Sequence, residues 1–180
     1  MQSLAGKLLI ASKTLMDPNF VQTVILIVQH DENGALGLVL NRALKTTIKE
    51  ACEQALEIPC ELDGPLHQGG PCEGPLMVLH AYDTAGQMEV VEEVHFTTQR
   101  DHIEWLLTQS DARAKFFVGY SGWAGGQLEG EMETGSWLTA DATSTIVYTD
   151  DERSWQQLVK EITWSRWIDP KRIPDDPSVN

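Results

Sequence analysis

The hydrophobic pattern falls into short apolar runs divided by turn signals, with three stretches of helical period between them. Residues 7–12 (KLLIAS) read as a first strand. Residues 24–28 (VILIV) read as a second, whose unbroken apolar character predicts cover on both faces. Asp31-Glu32-Asn33-Gly34 is a hairpin turn, with Asn-Gly where positive φ is wanted, and residues 35–41 (ALGLVLN) form the returning strand. Residues 76–80, 88–91 and 94–97 supply further strands, residues 66–68 a short edge strand, and residues 144–148 (STIVY) a late strand. Three windows follow a period of 3.6. The first is residues 47–56, where Ile48, Ala51, Cys52, Ala55 and Leu56 share a face, Thr47 and Glu50 form a capping box, and Pro59 ends the pattern. The second is residues 99–108, with Ile103, Leu106 and Leu107 on one side. The third is residues 152–164, with Trp155, Leu158, Val159 and Ile162 on one stripe.

One stretch organises the rest. Residues 116–138 (FFVGYSGWAGGQLEGEMETGSWL) predict a buried strand, a tight glycine turn, a short helix and a second strand. Gly119, Gly122, Gly125 and Gly126 suit positive φ or close backbone approach. Strand, glycine turn and helix together admit an anion site at the helix start, but no Lys, Ser or Thr directly follows the glycines, and Glu129, Glu131 and Glu133 load the helix with negative charge. Gly119-Tyr120-Ser121-Gly122-Trp123 approaches the G-x-S-x-G nucleophile elbow and fails at its last position. The remaining reading is geometric: the glycines let Trp123 and the turn pack against a sheet.

Composition sharpens this picture. The 180 residues suit a single domain, expected over residues 1–168 and followed by a polar, loosely ordered tail with three prolines at 169–180. No apolar run approaches the roughly 20 residues of a membrane span, and the N-terminus lacks the pattern of a signal peptide, so a cytoplasmic location is expected. Three cysteines without a C-x-x-C pair fit a reducing compartment. The net charge of −14 is uneven: residues 1–58 carry five basic and six acidic side chains, residues 59–180 eight and twenty-one. Such a surface repels nucleic-acid phosphate and anionic lipid, and no cluster of Lys and Arg offsets it.

Candidate chemistry is sparse. His67, Cys72 and His80 are metal-ligand types, but their spacing matches no zinc pattern and no fourth ligand stands out, so no metal or cofactor is expected. Cys72 follows Gly69-Gly70-Pro71 in an exposed-looking loop; Glu73 beside it works against a reactive thiolate. Cys52 reads as a small core residue. Asn41-Arg42, at the end of a buried strand, could bind a carboxylate or phosphate, or Arg42 could pair with one of the many acids. His30 ends a strand beside the hairpin turn, where a local carbonyl would satisfy it. No catalytic set assembles.

Gly6-Lys7-Leu8-Leu9-Ile10-Ala11, Asp17-Pro18-Asn19-Phe20, Gly34-Ala35-Leu36-Gly37-Leu38-Val39-Leu40-Asn41-Arg42, Gly69-Gly70-Pro71, Val78-Leu79-His80 and the run from Gly119 through Trp123 to Gln127-Leu128-Glu129 occur in that order. This ordered set closely resembles the bacterial YqgE/AlgH family, over nearly the whole chain. The resemblance implies an α+β domain whose mixed, strongly curled β-sheet forms a barrel-like core flanked by helices. It implies a cytoplasmic, largely uncharacterised protein with no agreed catalytic residues; some members carry a label as transcriptional regulators of alginate production. The family usually has Ala where this chain has Ser121, which weakens a nucleophile role. Two functions follow as expectations. One is a non-enzymatic regulatory or interaction module acting through protein partners, with any effect on transcription indirect, since the charge disfavours direct DNA contact. The other is a small-ligand binder or hydrolase using a crevice near Asn41, Arg42, Gly119, Gly122, Gly125 and Gly126.

Overall fold

Nearly every apolar run becomes a strand in the computed structural model, which describes residues 2–56, 60–151 and 153–167. Pro59 and the tail 169–180 lie outside the described residues. In chain order the strands are β1 (Lys7–Ala11), β2 (Val24–Asp31), β3 (Gly34–Val39), β4 (Ala43–Thr47), β5 (Pro65–Gln68), β6 (Met77–His80), β7 (Met88–Val91), β8 (Val94–Thr97), β9 (Ala114–Val118), β10 (Ser121–Ala124) and β11 (Trp137–Asp141). The helices are α1 (Ile48–Ala51), α2 (Arg100–Leu107), α3 (Gln127–Glu133), α4 (Ser144–Tyr148) and α5 (Ser154–Trp167).

Two sheets result. The first runs β10-β3-β2-β1-β11 and is antiparallel throughout; the second runs β4-β5-β9-β6-β8-β7, with β5 and β9 parallel. Alternation along each strand sends neighbours to opposite faces, and the contacts follow that rule. Leu8, Ile10, Leu26 and Leu38 of the first sheet meet Leu79, Phe96 and Phe117 of the second in one shared core. On the outer face of the first sheet, Leu9, Ile25, Ile27 and Val39 pack with Leu128 of α3, Trp123 and Trp137. On the outer face of the second, Leu66, Val78 and Phe116 lie under Ile48, Ile103, Leu106 and Leu107. Helices thus cover both outer faces, while Val147 of α4 and Leu158 and Val159 of α5 join the core between the sheets.

This corrects the barrel expected from the resemblance. The outer strands β10 and β11 of one sheet, and β4 and β7 of the other, pair with no further strand among the described residues, so neither sheet closes. The unbroken apolar run 24–28 is covered on both faces as expected, by the second sheet on one side and α3 with its tryptophans on the other.

Local expectations divide instructively. The hairpin at Asn33-Gly34 forms, with Gly34 pairing Asp31. The capping box forms too: Thr47 Oγ1 accepts the Glu50 N–H (3.1 Å) and Glu50 Oε2 accepts the Thr47 N–H (2.9 Å). After α1 the helix widens into a π-helical turn, Cys52–Leu56. Residues 144–148 form α4 rather than a strand, because the Thr143 hydroxyl accepts the Ile146 N–H and Val147 is buried, and a cap outweighs the β-branched preference. The strand at 65–68 is internal rather than an edge, lying between β4 and β9, with Pro65 tolerated at its first position. Within the glycine-rich stretch, Ser121–Ala124 is itself a strand, so the turn is tighter than expected and centred on Gly119.

Candidate functional site

The glycine turn is a seam between the two sheets. Gly69 donates its N–H to the Val118 carbonyl (2.9 Å), and its own carbonyl accepts the Val39 N–H (2.9 Å) and the Ser121 hydroxyl (3.2 Å). Cys72 and Tyr120 exchange both backbone bonds, at 2.9 and 3.0 Å. Gly119 sits at φ +71°, and a Cβ there would lie 2.7 Å from the Gly70 carbonyl oxygen. A Cβ on Gly122 would lie 3.1 Å from the Tyr120 ring, and one on Gly125 would reach 2.5 Å from the Glu32 oxygen. Gly126, at φ +76°, opens α3 with open space around it. Ser121 is fully buried and donates to a carbonyl, so its hydroxyl serves the seam. Trp123 and Trp137 both donate their indole N–H to Glu131 Oε2, at 3.0 and 2.9 Å, with the Phe20 ring against both.

Asn41 and Arg42 hold the neighbouring loop. Asn41 Oδ1 accepts the Val24 N–H and its amide donates to the Gln22 carbonyl, each at 2.9 Å. Arg42 Nη2 donates to the carbonyls of Pro18 (3.2 Å) and Val21 (3.5 Å), with Asp17 close by. The Arg42 backbone carbonyl accepts the Gln68 N–H at 2.9 Å. Successive residues of β5 then point to two different hollows. His67 and Asn41 line a cavity of about 20 Å³ with Asp150, large enough for a single water. Gln68 and Gly119 line an open cleft of about 600 Å³ with Gly70, Cys72, Glu73 and Val118. Arg42, Gly122, Gly125 and Gly126 line neither, so the expected crevice residues are spread over the seam, the loop anchor and the start of α3.

The chemistry that sequence reading missed is an ionic cluster behind His67, built on a buried lysine and a half-exposed carboxylate. Lys115 is 3% exposed and donates its Nζ to Asp150 Oδ1 (2.9 Å) and to the carbonyls of Thr149 (2.9 Å) and Leu40 (3.2 Å). His67 Nε2 reaches the same Asp150 oxygen at 3.1 Å. Burial, and then the Lys115 charge, push the His67 imidazole below its ordinary range, so it is neutral and donates. Burial also lowers Lys115, which Asp150 opposes. Burial works to raise Asp150, but Lys115 and His67 outweigh it and hold the carboxyl below the usual range. A lone Lys inside the apolar strand run Ala114–Val118 was the available signal.

The proposed metal-ligand types do not converge. His67 is committed to Asp150, Cys72 lies opposite Tyr120, and His80 stacks on His95 with centroids 5.9 Å apart. Among the described residues no three His, Cys, Asp or Glu side chains are placed to hold a metal ion. Burial, with His95 and His102 nearby, pushes His80 down to about 4. His30 also differs from expectation: its Nδ1 accepts the Leu4 N–H and its Nε2 bonds Glu129 Oε1, both at 2.9 Å, so it ties the N-terminal arm to α3.

The sequence profile of the AlgH-like family matches residues 8–167. The chain belongs to the AlgH-like family. Among its AlgH-like relatives, a UPF0301 protein of Chlorobaculum tepidum is 41% identical over 162 residues, covering 86% of this chain and 84% of its own. Another, from Ruegeria pomeroyi, is 38% identical over 167 residues, covering 87% and 90%. The solution structure of the AlgH protein from Pseudomonas aeruginosa superposes with a TM-score of 0.72 at 29% identity, covering 89% of this chain and 91% of that one. A Corynebacterium diphtheriae protein shares the fold, with a TM-score of 0.69 at 22% identity over 89% and 88% of the chains. The fold of this AlgH-like chain is α+β, two stacked sheets with five helices packed around them among the described residues. No helix among its described residues is long and apolar enough to cross a membrane.

Proposed function

We propose that this AlgH-like protein is a cytoplasmic, non-enzymatic interaction module that regulates through a protein partner, any effect on transcription being indirect. The observation that carries this reading is the outer side of α5. Leu158 and Val159 are buried, while Trp164 is 66% exposed beside a groove of about 580 Å³ flanked by Lys13, Trp155 and Lys160. A large exposed aromatic at the edge of an apolar groove is what protein contacts use, and truncating such an anchor commonly costs 2 kcal/mol or more, roughly thirtyfold in affinity. The test compares capture from native lysate by the wild-type chain and by Trp164→Ala, with thermal melts to show that both are folded. The expected result is a stoichiometric partner on the wild type that is depleted at least roughly tenfold on the variant. No stoichiometric partner at any salt, or one held equally by both chains, overturns the reading.

A second reading is supported by the open cleft beside the seam: a small ligand held on the glycine turn at Gly119, with Asn41, Arg42, Gly122, Gly125 and Gly126 lying outside that cleft. What supports it is the position of Gly119 on the wall of the roughly 600 Å³ cleft, a volume suited to a small molecule. Thermal-shift screening with nucleotides, phosphates and carboxylates is expected to raise the melting temperature for one chemical class, and to do so less in Gln68→Ala, whose side chain lines the cleft. A flat response across the library removes this reading.

A further inference from the structure

Resting on the partner reading above, we propose that the α5 groove takes an acidic, apolar segment of that partner, its apolar side chains against Trp155 and Trp164 and its carboxylates on Lys13 and Lys160. The groove is one face of α5 with the chain after β1 beside it. At roughly 100° per residue, Trp155 and Val159 lie at one edge of that face, Gln156 and Thr163 in its middle, and Lys160 and Trp164 at the other edge. Lys160 and Trp164 are four residues apart and so stand side by side on the helix surface. The inner edge is fixed. The Trp155 indole N–H donates to the Ala11 carbonyl at 2.7 Å, which ties α5 to the end of β1, two residues before Lys13. The Thr163 hydroxyl donates to the Val159 carbonyl at 2.6 Å and is spent inside the helix. The polar side chains this face still offers are Gln156 and the two lysines.

The charge of this face is opposite to that of the chain. The sequence carries 27 acidic side chains against 13 Lys and Arg, yet the charged groups lining the groove among the described residues are both lysines. Both are exposed, and among the described residues neither forms an ion pair. Lys7, Arg100, Arg113, Lys115 and Arg153 each have a carboxylate partner by contrast. Glu161, one residue beyond Lys160, lines the adjoining hollow with Gln157 and not the groove. The net charge of −14 repels an acidic partner at long range, but salt screens that field over about 8 Å at physiological strength, and a contact pair at the edge of an apolar groove is screened much less. A basic segment would find no counter-charge here and two like charges, an arrangement that turns wrong partners away. Two unpaired ammonium groups on either side of an aromatic-lined groove therefore select carboxylates set among apolar side chains.

The test reads the chemistry of the contact directly. The complex captured from native lysate by the full-length chain is treated with a water-soluble carbodiimide, which joins an ammonium to a carboxylate without a spacer, and the linked peptides are sequenced by mass spectrometry. The expected links run from Lys13 and Lys160 to Asp or Glu of the partner, in a segment whose neighbouring residues are apolar. Capture by the double variant Lys13→Glu, Lys160→Glu is expected to fall at least roughly tenfold, with the thermal melt of the wild type retained. Links that run the other way, from partner lysines to Asp or Glu of this chain, overturn the proposal and leave the partner reading standing. So does a partner that is lost from Trp164→Ala but held equally by the lysine variant. A linked species of twice the chain's own mass, joined through Lys160, identifies a second copy as the occupant and overturns it as well. The absence of any stoichiometric partner removes both the proposal and the reading beneath it.

Discussion

Gly69→Ala is expected to lose at least about 3 kcal/mol of stability, read as a fall in the urea midpoint at unchanged slope. A Cβ at this position would stand 2.3 Å from the Gly119 carbonyl oxygen and 3.0 Å from Leu38 Cδ2. The oxygen belongs to backbone, which cannot swing aside as a side chain can. Gly69 also links the sheets, through Val118 on one side and Val39 on the other, so relief of the clash lengthens bonds in both. Gly130, inside α3 with nothing near its missing Cβ, is the control. Gly130→Ala is expected to gain between about 0.5 and 1 kcal/mol from helix propensity alone. A Gly69→Ala protein within about 1 kcal/mol of wild type would show that the two sheets separate at low cost.

Asp150→Asn is expected to cost about 3 kcal/mol, more than Lys115→Met. The asymmetry comes from exposure: the Asp150 side chain is 51% exposed and that of Lys115 only 3%. Removing the carboxylate leaves an ammonium buried against two carbonyls with no counter-charge. Removing the ammonium leaves a carboxylate that water can reach, and the remaining cost, between about 1 and 2 kcal/mol, lies in the Leu40 and Thr149 carbonyls that lose a donor. A pH titration checks the same cluster. Because Asp150 binds its proton less readily when folded, its contribution is complete above the ordinary carboxyl range and is lost as pH falls through the lowered folded value. That acid limb is expected to flatten in Asp150→Asn. Equal costs for the two substitutions, or an unchanged limb, would place the stabilisation elsewhere.

The sequence carried the strands well because periodicity is a local signal of which faces are covered. It carried the capping box at Thr47 for the same reason. It misread residues 144–148, where β-branched composition pointed one way and the Thr143 cap another. The closed sheet was expected from the family resemblance, and the apolar runs could not correct it, because the same runs serve a closed barrel and two stacked open sheets; periodicity reports that a face is buried but not what buries it. The glycines were legible as geometry. Their partner Gly69 was not, since the close approach joins residues fifty positions apart in sequence. The Lys115 cluster was hidden for a related reason: a lone lysine in an apolar strand marks something buried, but Asp150 and His67 come from distant segments and only the fold joins them.

The order of strands in the first sheet also has a consequence for how the chain emerges from the ribosome. β1, β2 and β3 are synthesised first, yet their flanks are β10 and β11, which are made only after the whole second sheet. A nascent chain that stops short of Ser121 therefore carries an apolar three-stranded core with both edges bare, and such edges invite pairing with other chains. Translation must run past residue 141 before that sheet is complete, so the nested topology holds back the earliest-made strands until the whole second sheet has been synthesised.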